Sequence, residues 1–303
     1  MPLIKPITPH LWFNTEAREA AEFYCSVFPA SRIDALTLLR DTPSGDCDLV
    51  SFSLNGQPFM AISAGPLFKF NPSVSFMVNF DATRDPQAQE KLDAAWGRLI
   101  EGGQALMPLD SYPFSKRYGW VQDRYGLSWQ LILKDAAGEP RPFIEPALLF
   151  VGANAGKAEE AGAFWRSVFD DSEAGQMARY PEGMPPNRPG TVMFSDFRLD
   201  QTWFVAMDGA NEHGFIFNEA ISFMVTCRDQ AEVDRYWAQL SSVPAAEQCG
   251  WCKDRFGLSW QITPHVLDEA MTSGDQAKVD RVTRAVMDMH KLDVEQIERA
   301  VRG

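Results

Sequence analysis

Residues 119–132 read GWVQDRYGLSWQLI, and residues 250–263 read GWCKDRFGLSWQIT. A shared Asp-Arg-aromatic-Gly-Leu-Ser-Trp-Gln run is too long for low-complexity noise and points to duplication of the whole chain. The leading Gly-Trp ends one strand. Asp-Arg-aromatic-Gly forms a tight turn, with Gly126 and Gly257 free to take the left-handed conformation that a bulged hairpin needs. Leu-Ser-Trp-Gln-apolar alternates like a strand buried on one face. Each copy is therefore predicted to be a β-hairpin that closes a domain.

Working back from the first copy, residues 7–14 (ITPHLWFN) read as a strand, with His10, Trp12 and Asn14 on one face and Leu11 and Phe13 on the other. A helix follows, capped by Asn14 or Thr15, with Ala17, Ala20, Tyr24, Val27 and Phe28 at helical spacing. Strands at 33–39, 49–54 and 58–63 complete a βαβββ block, and Asn55-Gly56 marks the turn between the last two. A strand at 74–80, a helix at 86–100, a strand at 105–109 and the hairpin make a second block. The second repeat retraces this pattern. Residues 144–151 match the first strand, residues 156–169 match the helix, and Phe217-Asn218-x-x-Ile221-Ser222-Phe223-Met224-Val225 matches Phe70-Asn71-x-x-Val74-Ser75-Phe76-Met77-Val78. The second repeat is shorter after its helix at 232–240, where residues 104–116 have little counterpart. A polar linker spans 135–142 (DAAGEPRP). The tail reads as two helices, 275–289 and 294–301, suited to packing on the second repeat or on a partner.

The bulk composition agrees with a two-domain globular chain: 303 residues, 45% hydrophobic and 23% charged. A formal net charge of -13 argues against nucleic acid and anionic membranes as partners. No apolar run approaches a membrane span, no signal peptide is visible, and five scattered cysteines do not form a disulfide framework. The expectation is a cytoplasmic protein.

Four βαβββ blocks taken two by two resemble the vicinal oxygen chelate superfamily of glyoxalase I, bleomycin-resistance proteins and extradiol dioxygenases. The phrases Pro9-x-Leu11-Trp12-Phe13, Phe23-Tyr24-x-x-x-Phe28, Gly65-Pro66-x-Phe68-x-Phe70-Asn71, Cys249-Gly250-Trp251 and Asp254-Arg255-Phe256-Gly257-Leu258-Ser259-Trp260-Gln261 are similar to its PhnB-like branch. The tail phrase Ala285-Val286-Met287-x-Met289-x-Lys291-Leu292-Asp293 is similar as well. The resemblance implies an α+β fold of four βαβββ modules paired into two half-open barrel-like sheets. It implies a first domain at 1–135, a second at 143–265 and a helical tail at 266–303. Two blocks of one repeat would curl around one pocket, and the fused repeats would stand in for a dimer.

Metal enzymes of that superfamily carry ligands on the first and last strands of each block. Transferred residue by residue, this gives His10, a position within 60–63, Ser75 or Met77, and Gln130. The second repeat offers Ala147, a position within 205–207, Ser222 and Gln261. One His and one amide fall short of the three or four N, O or S ligands that Zn or Fe needs. No cofactor is therefore expected, a divalent metal in the first domain being the one opening the resemblance leaves.

Other motifs divide between chemistry and structure. His10 could act as a general base or as a hydrogen-bonded pocket-edge residue, and no carboxylate lies in its strand. Gln130 and Gln261 could bind a ligand or satisfy backbone. Cys249-Gly250-Trp251-Cys252 has redox spacing but lies in a predicted strand, where the two side chains diverge. Asp123 and Asp254 sit in the repeated turn, which favours a structural role. Some PhnB-like proteins carry a methyltransferase name tied to ubiquinone synthesis, yet no strand-linked Gly-rich loop, Walker motif or G-x-S-x-G elbow is present.

The expected function is binding of a small organic molecule in a first-domain cavity lined by His10, Trp12, Asn14, Ser75, Asn79 and Gln130. The alternatives are a metal-dependent lyase, isomerase or dioxygenase, and a structural or partner-binding pseudo-dimer. The expected partner is a small-molecule ligand, with no nucleic acid and no membrane. The chain would be a monomer, as a fused pseudo-dimer, or a homodimer.

Overall fold

A computed structural model describes residues 6–134, 139–209 and 213–303. Four modules follow one another. The first is β1 (Thr8–Phe13), α1 (Ala17–Val27), β2 (Arg32–Thr42), β3 (Gly45–Leu54) and β4 (Gln57–Ser63). The second is β5 (Val74–Asp81), α2 (Ala88–Leu99), β6 (Gln104–Tyr112), β7 (Ser115–Gln122) and β8 (Ser128–Lys134). The third is β9 (Ile144–Phe150), α3 (Ala158–Val168), β10 (Ser172–Arg179), β11 (Val192–Leu199) and β12 (Thr202–Asp208). The fourth is β13 (Ile221–Cys227), α4 (Gln230–Leu240), β14 (Trp251–Lys253) and β15 (Ser259–Pro264). It lacks a counterpart of β6, which is the shortening expected from the sequence. The linker's residues 135–138 lie outside the described residues.

Within each module the first and last strands run parallel: β1 with β4, β5 with β8, β9 with β12 and β13 with β15. Between modules the first strands pair antiparallel, β1 with β13 and β5 with β9. The result is two open sheets, β14-β15-β13-β1-β4-β3-β2 and β10-β11-β12-β9-β5-β8-β7-β6. This corrects the expectation that the two modules of one repeat share a sheet. The first module pairs with the fourth, and the second with the third. The cause is local. β8 and β9 are joined by a short connection, so β9 falls beside β5 in the sheet that already holds β8. The first and fourth modules are then left to pair with each other. The packed units are thus Met1–Cys25, Ser31–Lys69 and Phe217–Gly303 (unit 1), and Ser26–Ala30 and Phe70–Ile216 (unit 2).

In each unit one sheet face meets helices. Phe223 and Trp260 lie in ring contact on the face that α4 covers in unit 1. Phe76 and Trp129 do the same beside α2 in unit 2, and Trp165 of α3 meets Phe150 and Phe197. Trp129, Trp165 and Trp260 are fully buried, and burial of such large side chains dominates a core's stability. Alternation sends His10, Ser222 and Gln261 of unit 1, and Ser75, Gln130 and Trp120 of unit 2, to the opposite, inner face.

The tail holds three helices where two were expected: α5 (His265–Met271), α6 (Gln276–Met287) and α7 (Val294–Arg302). α5 begins directly after β15 and is too short to leave a periodic signal. The three helices bury Ala270, Val282, Val286, Met289, Leu292 and Ile297 among themselves. No described helix is long and apolar enough to cross a membrane.

Candidate functional site

The repeated turn is a structural staple. Asp123 Oδ1 accepts from the backbone N–H of Tyr125 (2.9 Å) and of Leu127 (3.1 Å), and its Oδ2 accepts from Trp129 Nε1 (2.9 Å). Asp254 repeats this with Phe256 (2.8 Å), Leu258 (3.1 Å) and Trp260 (2.9 Å). Gly126 and Gly257 take φ of +88° and +83°, the left-handed conformation the turn requires. These carboxylates hold the turn and its tryptophan, as their place in the sequence suggested.

On the inner face of unit 1, His10 is 3% exposed and lies edge-on to Trp251, with ring centroids 5.5 Å apart. Burial pulls its imidazole down to about 4, so it is neutral at pH 7. Gln261 Nε2 donates to Ser222 Oγ (2.7 Å). Trp12 Nε1 donates to Gly65 O (2.8 Å), and its ring meets Phe68. The tail covers much of this face. Val279 of α6 packs into a cluster of Leu39, Cys47, Leu49, Ile62 and Ala64, with Trp12, Met60 and Met271 against it. Met271 O accepts from Thr37 Oγ1 (2.8 Å), Gln276 Nε2 donates to Leu38 O (2.9 Å), and Thr226 Oγ1 donates to Asp268 Oδ2 (3.3 Å).

The inner face of unit 2 is built from the same strand positions with a different cover. Met77, Ala147 and Val205 are buried, and Ile132, Phe194 and Met207 pack on them partly buried. Every member of this cluster is a strand residue. Two polar groups sit beside it. In one, Tyr118 OH donates to Gln130 Oε1 (2.7 Å), and Gln130 Nε2 donates to Ser75 Oγ (2.9 Å). Burial raises the Tyr118 phenol, which stays protonated. In the other, Asn79 Nδ2 donates to Glu145 Oε2 (2.6 Å) and to Pro142 O (2.9 Å). Glu145 is 2% exposed. Burial pushes its carboxyl up to about 6, against the opposing pull of the Asn79 bond and the Lys134 charge. Lys134 is itself lowered by desolvation. Arg141 pairs with buried Asp196 (2.8 Å), and its guanidinium lies 3.7 Å from the Trp203 ring centroid.

The six residues expected to line one cavity therefore divide. Ser75, Asn79 and Gln130 come together on the inner face of unit 2. His10 and Trp12 belong to unit 1. Asn14 lies just past β1, exposed, where its carbonyl accepts from Gly65 N (3.0 Å). The split follows from the module pairing, since β1 and β5 enter different sheets. Sequence reasoning missed Glu145, Tyr118 and Trp120. A single acid inside the apolar strand IEPALLF was the available signal for Glu145.

The superfamily's metal positions do not fit a metal here. In the observed sheets they fall on His10, Ser222, Gln261 and residues 60–63 in unit 1, and on Ser75 or Met77, Gln130, Ala147 and residues 205–207 in unit 2. No three His, Cys, Asp or Glu side chains converge among the described residues. The Cys249–Cys252 pair is structural. Cys249 takes φ +52° outside β14, burial raises both thiols, and the Cys249 and Gly250 N–H groups donate to the Met289 and His290 carbonyls (2.7 and 2.8 Å). His265 is paired with Glu269 (3.0 Å).

The family model described as 3-demethylubiquinone-9 3-methyltransferase matches the chain twice, over residues 5–132 and 142–263. A solved Bacillus cereus protein, described provisionally as a 3-demethylubiquinone-9 3-methyltransferase and PhnB protein, is 37% identical; the match covers 43% of this chain and 99% of that one, with a TM-score of 0.38. A Pseudomonas aeruginosa protein is 23% identical over 44% of this chain and 99% of its own, with a TM-score of 0.37. Glyoxalase I from Zea mays is 11% identical, but the match spans 84% of this chain and 92% of that one with a TM-score of 0.50, a likeness of fold. No curated protein matches the chain.

Proposed function

The chain belongs to the 3-demethylubiquinone-9 3-methyltransferase (PhnB-like) family through both of its repeats, and from that premise we propose that it binds a small organic molecule on the inner face of unit 2. One observation carries the reading: the same face of the same fold has two different covers. In unit 1, Val279 and Met271 of the tail pack onto Leu49, Ile62, Met60 and Trp12. In unit 2 the cluster on this face holds Ile132, Phe194 and Met207, partly buried, and contains no tail residue. An apolar wall with a few fixed polar groups is the usual make-up of a small-molecule site. The methyl transfer in the family description draws no support from the residues here. No Gly-rich loop seats a nucleotide-like cofactor.

The test is a thermal-shift screen of a chemically diverse library against the full chain, because a ligand that binds only the folded state raises the melting temperature. The expected result is a set of compounds that raise Tm in the parent and fail to do so in Ile132→Arg, which places a charge on the partly buried wall. The reading is overturned if no compound raises Tm, or if the shifts survive in Ile132→Arg.

A further inference from the structure

The inner face of unit 2 contains buried polar atoms without partners among the described residues: Asn79 Oδ1, Glu145 Oε1 and Trp120 Nε1. Two are acceptors and one is a donor. Buried polar atoms in folded proteins are nearly always paired, with protein groups or ordered water, so each is a position where an incoming polar group would find a bond. The strand register arranges them. Trp120 lies opposite Gln130, Gln130 opposite Met77, and Met77 opposite Glu145. This row crosses four strands, β7, β8, β5 and β9. It runs about 14 Å along the sheet, with the donor at one end and the acceptors at the other.

Unit 1 supplies an internal stand-in. The repeat aligns Phe76 with Phe223, and so Asn79 with Thr226. At Thr226 the covering tail presents its own polar group, the Asp268 carboxylate, which accepts from Thr226 Oγ1. Its apolar groups, Met271 and Val279, lie on the wall. An occupant of this face therefore directs its polar end at the 79/226 position and its apolar body at the wall. In unit 1 that position donates, and the occupant accepts. In unit 2 the polarity is reversed. Asn79 Nδ2 is already spent on Glu145 Oε2 and Pro142 O, and what remains is two acceptors.

We propose that Glu145 and Asn79 are the ligand-reading pair of unit 2, and that they select an apolar compound ending in an amine or hydroxyl over one ending in a carboxylate. This rests on the site proposed above and adds its chemical preference. The Glu145 oxygen and the Asn79 carbonyl oxygen both need donors, and an incoming carboxylate would bring only acceptors. The burial that raises the Glu145 carboxyl also makes an opposing acceptor costly and a donor favourable. A site built for donors rejects analogues that lack them more strongly than an apolar wall rejects a missing methylene.

The experiment compares 2-phenylethylamine, 2-phenylethanol and phenylacetate by isothermal titration at pH 7.5. Loss of the tryptophan fluorescence change in Trp120→Phe places the bound compound on the row. The amine and the alcohol should bind at least about tenfold tighter than phenylacetate. Glu145→Gln keeps the volume and the acceptor for Asn79 Nδ2 while turning the second acceptor into a donor. It should weaken the amine and alcohol and strengthen phenylacetate. Asn79→Thr, which installs the residue of the other repeat, should narrow the preference should Glu145→Gln fail to fold. The proposal is overturned if phenylacetate binds as tightly as the amine, or if folded Glu145→Gln and Asn79→Thr leave the order unchanged. It is also overturned if none of the three binds while the library screen finds ligands. An empty library screen overturns the underlying site instead.

Discussion

Replacing Asp123 by Asn tests how much of the fold rests on the duplicated turn. The substitution preserves size and leaves Oδ1 to accept from the Tyr125 and Leu127 N–H groups. It turns Oδ2, which accepts from Trp129 Nε1 at 2.9 Å, into an NH2 facing an N–H. Asp123 is 4% exposed and Trp129 is fully buried, so water cannot readily replace the lost acceptor. A hydrogen bond to a charged group contributes about 1.5–3 kcal/mol, and two opposed donors hold the loss at the upper end. The expected destabilisation of unit 2 is therefore about 2–3 kcal/mol. Asp123→Ala strips all three acceptor contacts and should cost about 4–5 kcal/mol, the range of buried-network losses. The matching distances at Asp254 predict that Asp254→Asn destabilises unit 1 by the same amount within about 0.5 kcal/mol. The assay is urea unfolding followed by tryptophan fluorescence, run as a double-mutant cycle with Trp129→Phe. Phe removes the indole donor, so Asp123→Asn should become much milder, with a coupling energy of about 1.5–3 kcal/mol. A coupling below about 0.5 kcal/mol, or an Asn variant as damaging as Ala, refutes the staple.

Two buried groups give opposite pH dependence. Glu145 rises from 4.5 to about 6 on folding, so the native state holds the extra proton between those values. Its contribution is complete below pH 4.5 and is lost as pH rises through 6, about 2 kcal/mol in all. His10 falls from 6.5 to about 4, so the unfolded chain holds the extra proton. Its contribution is complete above pH 6.5 and is lost as pH falls through 4, about 3 kcal/mol in all. Stability-against-pH curves should steepen between pH 4 and 6 in Glu145→Gln and flatten in His10→Gln; unchanged curves contradict the assignment. Gly119→Ala would bring a Cβ to 2.5 Å from Trp96 Cζ3 of α2. Overpacking of that kind costs about 1–3 kcal/mol, to be read from the urea midpoint, and a neutral result would mean that the helix can shift. Deleting residues 265–303 should uncover Leu49, Ile62 and Trp12 in unit 1 and so raise binding of the apolar dye ANS. No rise in dye binding would show that the tail does not seal that face.

Much of the fold was legible because it is written locally. The Asp-Arg-aromatic-Gly turn, the alternation around Trp129 and Trp260, the stripe of α6 and the shortened fourth module all depend on residues close in sequence. Strand pairing between modules was not legible. The β1–β13 and β5–β9 seams join the same kind of strand in the same antiparallel sense, so periodicity cannot say which copy pairs with which. That ambiguity carried the candidate site with it. The transfer from the resemblance put Ser75 and Gln130, which share one sheet face, in one cavity with His10, Trp12 and Asn14, which belong to the other sheet or lie beyond it. Glu145 escaped notice because Ile144, Pro146, Leu148 and Phe150 make its strand read as apolar. Its meaning depends on Asn79, 66 residues away in sequence.

The duplicated fold lets one chain serve as its own control. The Ser75–Gln130 bond in unit 2 and the Ser222–Gln261 bond in unit 1 are the same bond, 2.9 and 2.7 Å long. In both units this bond joins neighbouring strands, whether or not the tail covers the face. Features that differ between the units are the ones open to function. His10 is replaced by Ala147, Thr8 by Glu145 and Thr226 by Asn79, while the tail brings Asp268 to one unit only. Near the same corner of the inner face, unit 1 thus has the Asp268 carboxylate of the covering helix, and unit 2 has Glu145 of the sheet itself, with the Arg141-paired Asp196 beside it. A carboxylate on the cover satisfies a hydroxyl and closes the face. A carboxylate on the sheet, already buried and with one oxygen unpaired among the described residues, is the group that the proposed ligand would meet.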